Sequence, residues 1–319
     1  MRALCLFLGL AAASYAAVTI ERTGYKGWPN CYRISNGEVE LIVTSDIGPR
    51  IMRYAFVGGP NIFKEFAETL GKTGGRQWQM IGGHRLWHAP EAMPRTYAPD
   101  NGPVDVRLEG TTLHAIEPLE PSTSIQKEMV IRLADHGTEA TILHRLTNKN
   151  VWNVELAPWA LTMMAQGGTA IVAFPPRGTH DAILGPTNPL TMWAYTDFSD
   201  PRWHFGKKYL TLRQDPHSTE PQKTGIFNPN TWEAYLLGSE LFIKRTKADP
   251  SKTYPDFGCS LETYTSAEFL EMETLGALTR MEPNGSVEHT ERWTLHRNVQ
   301  LANWSDAEID RVVLPLAEQ

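Results

Sequence analysis

The densest group of reactive side chains in the sequence lies in one short stretch, residues 82–91. It holds two imidazoles, a guanidinium, an indole and a carboxylate, which belong to His84, His88, Arg85, Trp87 and Glu91. Imidazoles exchange protons near neutral pH, and a guanidinium presents a rigid fork of donors to carboxylates or vicinal hydroxyls. Because Gly82-Gly83 precedes the group and Pro90 interrupts it, we predict a loop or strand end at the rim of a pocket.

A second, acidic group lies toward the end of the chain. Period-two alternation places Glu262 and Tyr264 on one face of a predicted strand, and Glu271 and Glu273 on one face of the next. Carboxylates repeated on one face of an apolar strand either meet solvent or point into a polar cleft. In a cleft, burial raises their pKa, so a glutamate can act as an acid or base near neutral pH. The residues alone leave both interpretations open.

A third polar group lies between residues 193 and 204. There Asp197 and Arg202 alternate with the rings of Trp193, Tyr195 and Trp203. Such a segment is either a solvated loop or the cover of a ligand site, and its aromatic rings favour the cover. Upstream, Asp100 extends the polar character of the first group, and we predict that it also contacts ligand.

Metal binding is the weaker interpretation of the two histidines. His84 and His88 are four residues apart, so a helix would place them on one face as zinc ligands, with Glu91 as a third. The flanking glycines and proline argue against a helix, and no metal site is predicted. The sequence has no Walker loop, dinucleotide fingerprint or Gly-x-Ser-x-Gly elbow, so no cofactor is expected.

Composition narrows the class of partner. A formal net charge of −6 over 319 residues argues against nucleic acid, because neutralising phosphates needs a surplus of Lys and Arg. The chain has 10 Trp and 10 Tyr, and flat aromatic faces bury the apolar side of a sugar ring. We therefore expect a carbohydrate ligand. No stretch is expected to span a membrane, and the oligomeric state is not specified by the sequence.

The N-terminus has the pattern of a secretory signal peptide. A positive start, an apolar run from Ala3 to Ala13 and small residues up to Ala17 predict cleavage near Ala16 or Ala17. We expect residues 1–17 to be removed and the mature protein to be secreted or periplasmic. Cys31 and Cys259 would remain, and their distance in sequence leaves open whether they form a disulfide.

Strands must position these groups, because most of the remaining sequence alternates short apolar and polar runs with turns. Asn36-Gly37 and Asp135-His136-Gly137 are strong hairpin signals. This rhythm predicts an all-β sandwich or barrel with few short helices. The best helix signal is at 305–311, with Ser305 as the N-cap. No linker or repeat divides residues 18–319, so we predict a single domain.

Four segments resemble motifs of an uncharacterised branch of the galactose mutarotase-like, or aldose 1-epimerase, superfamily. They are residues 83–91, 97–101, 256–264 and 270–276. The resemblance implies a β-supersandwich that binds a sugar in its concave face. It also implies cofactor-free catalysis, in which a glutamate takes the anomeric hydroxyl proton and a histidine protonates the ring oxygen.

Carried over by position, the resemblance implies Glu273 as the base, with Glu271 and Glu262 as alternatives. His84 and His88 become candidate acids, and Arg85 a clamp for hydroxyls. The chain departs from the mutarotases at one point. They carry a histidine on a central strand where this chain has residues 158–162, Pro-Trp-Ala-Leu-Thr.

These observations predict a carbohydrate-active protein, an aldose mutarotase or epimerase-like enzyme that uses general acid/base catalysis. Its cleft would be lined by residues 84–91, 193–204 and 262–273. The predicted substrate-binding residues are Arg85, Trp87, Glu91, Asp100, Asp197, Arg202, Glu262 and Glu271. The alternatives are a non-catalytic carbohydrate-binding protein, a polysaccharide lyase or glycoside hydrolase and, more distantly, a metal-dependent enzyme.

Overall fold

The chain folds into two antiparallel β-sheets that pack face to face. The computed structural model describes residues 17–318. The predicted signal peptide, residues 1–17, lies outside the described residues except for its last position. The predicted all-β sandwich is confirmed.

Twenty-one strands and three short helices follow one another along the described chain. The first eleven strands are β1 (Thr19–Tyr25), β2 (Trp28–Ser35), β3 (Val39–Thr44), β4 (Arg50–Phe56), β5 (His84–Ala89), β6 (Asp105–Glu109), β7 (Thr112–Ile116), β8 (Ile125–Leu133), β9 (Ala140–Asn148), β10 (Val154–Met164) and β11 (Thr169–Ala173). The others are β12 (Leu190–Met192), β13 (Trp203–Phe205), β14 (Tyr209–Arg213), β15 (Gln222–Ile226), β16 (Trp232–Leu237), β17 (Glu240–Arg245), β18 (Leu261–Thr265), β19 (Leu270–Leu275), β20 (Thr279–Met281) and β21 (Ser286–His296). The helices are α1 (Pro255–Gly258), α2 (Asp306–Val312) and α3 (Leu314–Ala317), and a single 3₁₀ turn spans Arg95–Tyr97.

The order of strands in the sheets brings distant parts of the chain together. The first sheet has 11 strands in the order β1-β2-β3-β4-β5-β10-β19-β18-β15-β12, with β20 also paired to β10. The second has 10 strands in the order β13-β14-β11-β16-β17-β21-β9-β8-β7-β6. The middle of the first sheet therefore places β5 two strands from β19, although about 180 residues of chain separate them.

The faces that the sheets turn toward each other form the main core. In β8 and β9 every second residue is buried, as a half-buried strand requires. At the centre, Tyr54, Phe63, Phe242 and Trp293 meet with ring centroids 5.6–6.3 Å apart. Edge-to-face and tilted aromatic pairs of this kind add to the stabilisation from burying the rings.

The central strands of the first sheet are buried on both faces. All six residues of β5 and all six of β19 are buried. A separate hydrophobic cluster that includes Trp87, Trp159 and Leu275 lies on the outer face, with Trp78 and Tyr97 packed against it. The outer face of the first sheet is therefore partly enclosed, and its polar side chains are held away from bulk water.

The C-terminal helices cover the outer face of the second sheet. Ile309, Val313 and Ala317 pack there on residues of β16 and β17. The Ser305 side chain accepts from the Glu308 amide at 3.4 Å, which confirms the predicted helix and its N-cap.

Within residues 17–318, no helix has the length and apolar character needed to cross a membrane. Cys31 and Cys259 are both buried, free thiols, so no bridge joins them.

Candidate functional site

Residues 84–89 form the complete strand β5, and the prediction of a loop or pocket-rim strand end was wrong. Gly82 and Gly83 lead into it with φ angles of +98° and +70°. A Cβ atom on Gly82 would lie 2.2 Å from the Lys64 carbonyl oxygen, and one on Gly83 would lie 2.5 Å from the Ile51 carbonyl oxygen. Only glycine fits both the backbone conformation and the space. The pair thus marks a close crossing of chain segments.

Alternation along β5 separates the reactive residues of the first group. Arg85 and Trp87 point to the outer face, where Trp87 joins the cluster of Trp159 and Leu275. His84 and His88 point inward, between the sheets. The outer face of β5 therefore presents a guanidinium and an indole, without either imidazole.

The sheet register places Arg85 in one row with two carboxylates. Arg85 is paired with Leu161 of β10, Leu161 with Glu273 of β19, and Glu273 with Glu262 of β18. Directly paired residues lie on the same face of a sheet, so the four side chains share the outer face.

The neighbouring row completes the site. Glu271 of β19 is paired with Tyr264 of β18, and Tyr264 with Lys223 of β15. We call Glu262, Glu271 and Glu273 the carboxylate triplet. The alternation predicted for β18 and β19 is confirmed, and it converges on a surface that also holds two cations.

Two cations hold the triplet in place. The Lys223 ammonium lies 2.8 Å from Glu262 Oε2 and 2.9 Å from Glu273 Oε2, and the Trp159 indole N–H donates to the same Glu273 oxygen at 2.8 Å. Arg85 Nη2 donates to Glu271 Oε1 at 3.1 Å. Breaking a buried pair of this kind leaves an uncompensated charge, so the arrangement is strongly constrained.

Burial shifts the protonation of the triplet. It raises the pKa of Glu271 to about 7, although the Arg85 guanidinium opposes the shift. It also raises the pKa of Glu262 well above the usual range, against the attraction of Lys223. For Lys223, burial lowers the pKa, but the two carboxylates outweigh burial and the pKa is raised. Glu271 is thus a group that exchanges a proton close to neutral pH.

Aromatic rings surround the triplet. Trp87 lies 4.9 Å from Tyr97, 5.5 Å from Trp78 and 5.5 Å from Trp159, measured between ring centroids. From the other side, the Lys223 ammonium lies 4.8 Å from the Trp193 ring. Flat apolar walls around a few polar groups are the usual composition of a sugar site.

Several buried polar atoms of the site are free to bind a ligand. Glu273 Oε1, Arg85 Nε and Trp87 Nε1 have no hydrogen-bond partner among the described residues. Buried polar groups are normally paired, so each of these atoms is a candidate contact for a hydroxyl group or water. Glu271 retains 7% exposure whereas Glu262 and Glu273 are fully buried, so Glu271 is the member of the triplet with surface exposed to solvent.

The structure brings together six of the predicted residues. Arg85, Trp87, Glu262, Glu271 and Glu273 share the outer face of the first sheet. Glu91 is exposed beside them and accepts a hydrogen bond from the Tyr97 hydroxyl.

The two predicted acids lie elsewhere. His84 Nε2 is 2.7 Å from His144 Nε2 of the second sheet, and His88 Nε2 is 3.8 Å from Glu120. Neither imidazole contacts the carboxylate triplet, because both occupy the inward positions of β5. Burial lowers the pKa of both. The expectation that they share a cleft with Glu273 is therefore not met.

Three predicted ligand contacts are also separate from the triplet. Asp100 is buried and paired with Arg50. Asp197 is exposed and accepts from the amide and hydroxyl of Ser199 in its own loop. Arg202 is bound to Asp200 at 2.8 Å. Each is occupied by a contact that stabilises local structure.

Sequence reasoning missed Lys223, Trp78 and the position of Trp159. A single lysine in the segment Gln-Lys-Thr-Gly-Ile carries no local signal, since its partners are set by sheet order. Trp159 lies in the segment 158–162, where the resemblance to mutarotases leads one to expect a histidine, and there it donates to Glu273.

A separate cleft of about 1210 Å³ lies on the other sheet, where Tyr209, Trp232 and Arg245 line it beside α3. None of the carboxylate triplet borders this cleft. Volume alone does not identify a site, and the paired acids, cations and rings lie on the first sheet.

The fold is that of galactose mutarotase-like proteins. The chain superposes on a galactose mutarotase-like protein from Lactobacillus casei with a TM-score of 0.53 and 10% identity, covering 84% of this chain and 100% of that one. A candidate aldose 1-epimerase from Klebsiella pneumoniae gives a TM-score of 0.58 at 10% identity, covering 96% and 88%. The Slr1438 protein from Synechocystis gives 0.56 at 11% identity, covering 86% and 98%. No protein-family model and no curated protein matches the sequence.

Proposed function

We propose that the protein binds a carbohydrate on the outer face of its first sheet and interconverts the anomers of an aldose or aldose derivative. The observation that carries the proposal is the carboxylate triplet, held by Lys223 and Arg85 between tryptophan rings. The likeness to mutarotase-like folds supports a carbohydrate ligand, and the roles below rest on the geometry of the triplet.

In the proposed reaction, Glu273 is the base. Its Oε2 is fixed by Trp159 and Lys223, while Oε1 is free to accept a proton. Removal of the proton from the anomeric hydroxyl forms the C1 carbonyl as the bond from C1 to the ring oxygen breaks. Rotation about the C1–C2 bond and closure on the other face of the carbonyl give the second anomer.

Glu271 is the proposed acid in place of a histidine. With a pKa of about 7, it is partly protonated at neutral pH, and it is the most exposed member of the triplet. It gives its proton to the ring oxygen as the ring opens and recovers it on closure. Arg85, bonded to Glu271 at 3.1 Å, positions that carboxyl group.

Access to Glu273 requires movement of the covering loop. Tyr195 stacks edge-on against Tyr264 at 6.4 Å, and Trp193 lies over Lys223. Tyr195 is 41% exposed, so this loop lies at the boundary between the triplet and solvent. Displacing it would expose Lys223 and the adjacent Trp159 ring to a sugar.

The test is the rate of anomerisation of pure α-anomers across a panel of aldoses and uronic acids, followed by polarimetry. We expect catalysis by the native protein and a loss of about 10²–10⁴-fold in Glu273→Gln and in Glu271→Gln, since each variant removes one proton-transfer group. Glu109→Gln, on the exposed strand β6, is the matched control and should retain full activity. Rates equal to buffer for the native protein on every sugar would contradict the enzymatic proposal.

A non-catalytic carbohydrate-binding protein is the second candidate. The observation that favours it is that all three carboxylates are already engaged by Lys223 or Arg85. A glycan array distinguishes the two: binding that survives Glu273→Gln, without turnover by the native protein, identifies a binding protein.

A further inference from the structure

A second polar cluster lies on the opposite side of the first sheet, between the two sheets, and the proposed reaction does not use it. Its members include His84 of β5, His144 of β9 and Glu291 of β21. All three side chains are fully buried. Polar groups at the centre of a sandwich core are costly unless each is bound to a partner, so their arrangement needs a physical reason.

One nitrogen or oxygen atom from each of these three side chains lies close to the other two. His84 Nε2 lies 2.7 Å from His144 Nε2 and 3.8 Å from Glu291 Oε2, and the three atoms lie within 4.8 Å of one another. Two imidazole nitrogens that face each other need a shared cation or proton between them, because two lone pairs repel. A carboxylate oxygen beside them adds an anionic ligand.

The outer ring nitrogens of both histidines have hydrogen-bond partners, as those of metal-bound histidines do. A carbonyl oxygen only accepts, so His144 Nδ1 must donate to the His289 carbonyl at 3.1 Å, which leaves its Nε2 as a lone pair. His84 Nδ1 lies 2.8 Å from the Thr162 hydroxyl, which accepts from Nδ1 when Nε2 carries the lone pair and donates to Nδ1 when Nε2 is protonated. Partners that fix the outer ring nitrogen and free the inner one are characteristic of histidine ligands.

The carboxylate is oriented in the same way. Trp293 Nε1 donates to Glu291 Oε2 at 2.8 Å, and the Lys244 ammonium lies 3.0 Å from Glu291 Oε1. Lys244 also lies 3.9 Å from Glu233, whose two carboxyl oxygens have no hydrogen-bond partner among the described residues. The Glu291 carboxylate is thus in direct contact with one ammonium, and the Glu233 carboxyl group lies beyond that ammonium.

We propose that His84, His144 and Glu291 bind one divalent transition-metal ion, for which zinc is the best fit to a nitrogen and oxygen ligand set. With metal–nitrogen bonds of about 2.0–2.1 Å, tetrahedral ligation would separate the two ring nitrogens to about 3.3 Å. The rings therefore need to move apart by several tenths of an ångström, and the Glu291 oxygen, now 3.8 Å from His84 Nε2, needs to approach them. The ligands come from both sheets, so the ion would be a structural link across the sandwich.

This site differs from the zinc site considered from the sequence, which would use His84, His88 and Glu91. His84 and His88 both point inward, but His88 lies beside Glu120 and Arg95, four residues farther along β5. Glu91 is exposed on the outer side. Only His84 is common to the two sets, and its partners are supplied by the opposite sheet.

The experiment measures metal content and its structural effect in the full-length mature protein. The protein is unfolded and refolded with Zn²⁺ or Co²⁺, so that burial cannot prevent loading, and dialysed against metal-free buffer. We expect close to one equivalent by elemental analysis, visible Co²⁺ absorption typical of nitrogen and oxygen ligands, and a melting temperature several degrees above the metal-free protein.

The variants are His144→Gln and Glu291→Gln, with His88→Gln as the matched control, since His88 is a buried histidine of the same strand. The ligand variants should retain less than a tenth of the metal, and the control should retain all of it. If a ligand variant does not fold, the content and Co²⁺ spectrum of the native protein still decide. Native protein without bound metal after refolding, or metal retained by both ligand variants, would overturn the proposal.

Discussion

Lys223 is the residue on which the geometry of the candidate site most depends, because one ammonium lies between two buried carboxylates. Trp159 and Trp193 also lie within 5 Å of it, at 4.9 and 4.8 Å from ring centroid to Nζ. A cation so placed fixes Glu262 and Glu273 at the same time. Removing it would leave two buried acids without a counter-charge.

We therefore expect Lys223→Met to lower the free energy of unfolding by about 3–5 kcal/mol, the usual cost of breaking a buried ion pair. Urea denaturation at neutral pH measures the change. Lys247→Met is the matched control, since Lys247 is exposed and bound to the neutral amide of Asn230, and should change stability by less than about 0.5 kcal/mol. Equal stability of the two variants would show that Lys223 does not neutralise the acids.

The protonation state of Glu271 determines how the proposed catalytic activity should depend on pH. As the proposed acid it works protonated, so kcat/KM should fall as pH rises through about 7. Arg85 opposes the raised pKa of Glu271, and Arg85→Met should move this decline to higher pH. In Glu271→Gln the decline near pH 7 should be absent from the residual activity. A pH–rate profile of the three proteins checks both shifts, and an unmoved profile in Arg85→Met would argue against this assignment.

The same pKa has a consequence for stability. Since burial raises it above the value of 4.5 for the free side chain, the folded protein holds this proton more tightly than the unfolded chain does. The favourable contribution is complete below pH 4.5 and is lost as pH rises through about 7. Glu271→Gln should remove this part of the pH dependence.

Strand β5 shows why the motif at residues 82–91 located only part of the candidate site. The glycine pair and the proline predict an irregular segment, whereas the period-two alternation that correctly places Glu271 and Glu273 also holds for residues 84–88. Applied there, it separates His84 and His88 from Arg85 and Trp87. The glycine pair marks a close crossing just before the strand, and residues 84–89 themselves are extended.

That crossing gives a prediction for Gly83→Ala. The added Cβ would meet the Ile51 carbonyl oxygen at 2.5 Å at a positive φ, so we expect a loss of about 2–4 kcal/mol from strain and contact together. Gly110→Ala is the matched control, because Gly110 also has a positive φ, +59°, but no atom lies within 4 Å of its Cβ position. It should lose about 1 kcal/mol. Equal losses by chemical denaturation would mean that the close crossing contributes nothing.

At the scale of the whole molecule, the strand rhythm and hairpin turns predicted the sandwich, because these signals are local. The order of strands in the sheets is not local: β5 meets β10, β10 meets β19, and β15 meets β18 only after folding. Lys223 and Trp159 therefore could not be assigned to the site from the sequence. The single domain and the export of the mature chain stay predictions, and mass spectrometry of the mature N-terminus would test the latter.

The first sheet carries one polar group on each of its two faces. The outer face holds acids and rings suited to a sugar, and the inner face holds the ligand set proposed for a metal. Alternation along β5 and β19 distributes residues between them, since Arg85 and Glu273 face outward while His84 and Thr274 face inward.

The most direct test of the central claim is a crystal structure with a sugar identified by the glycan array. We predict density for one sugar ring on the outer face of the first sheet, stacked on Trp87 or Trp159, with a hydroxyl within hydrogen-bond distance of Glu273 Oε1. A sugar bound only in the cleft beside α3, or on any surface away from the carboxylate triplet, would contradict the account.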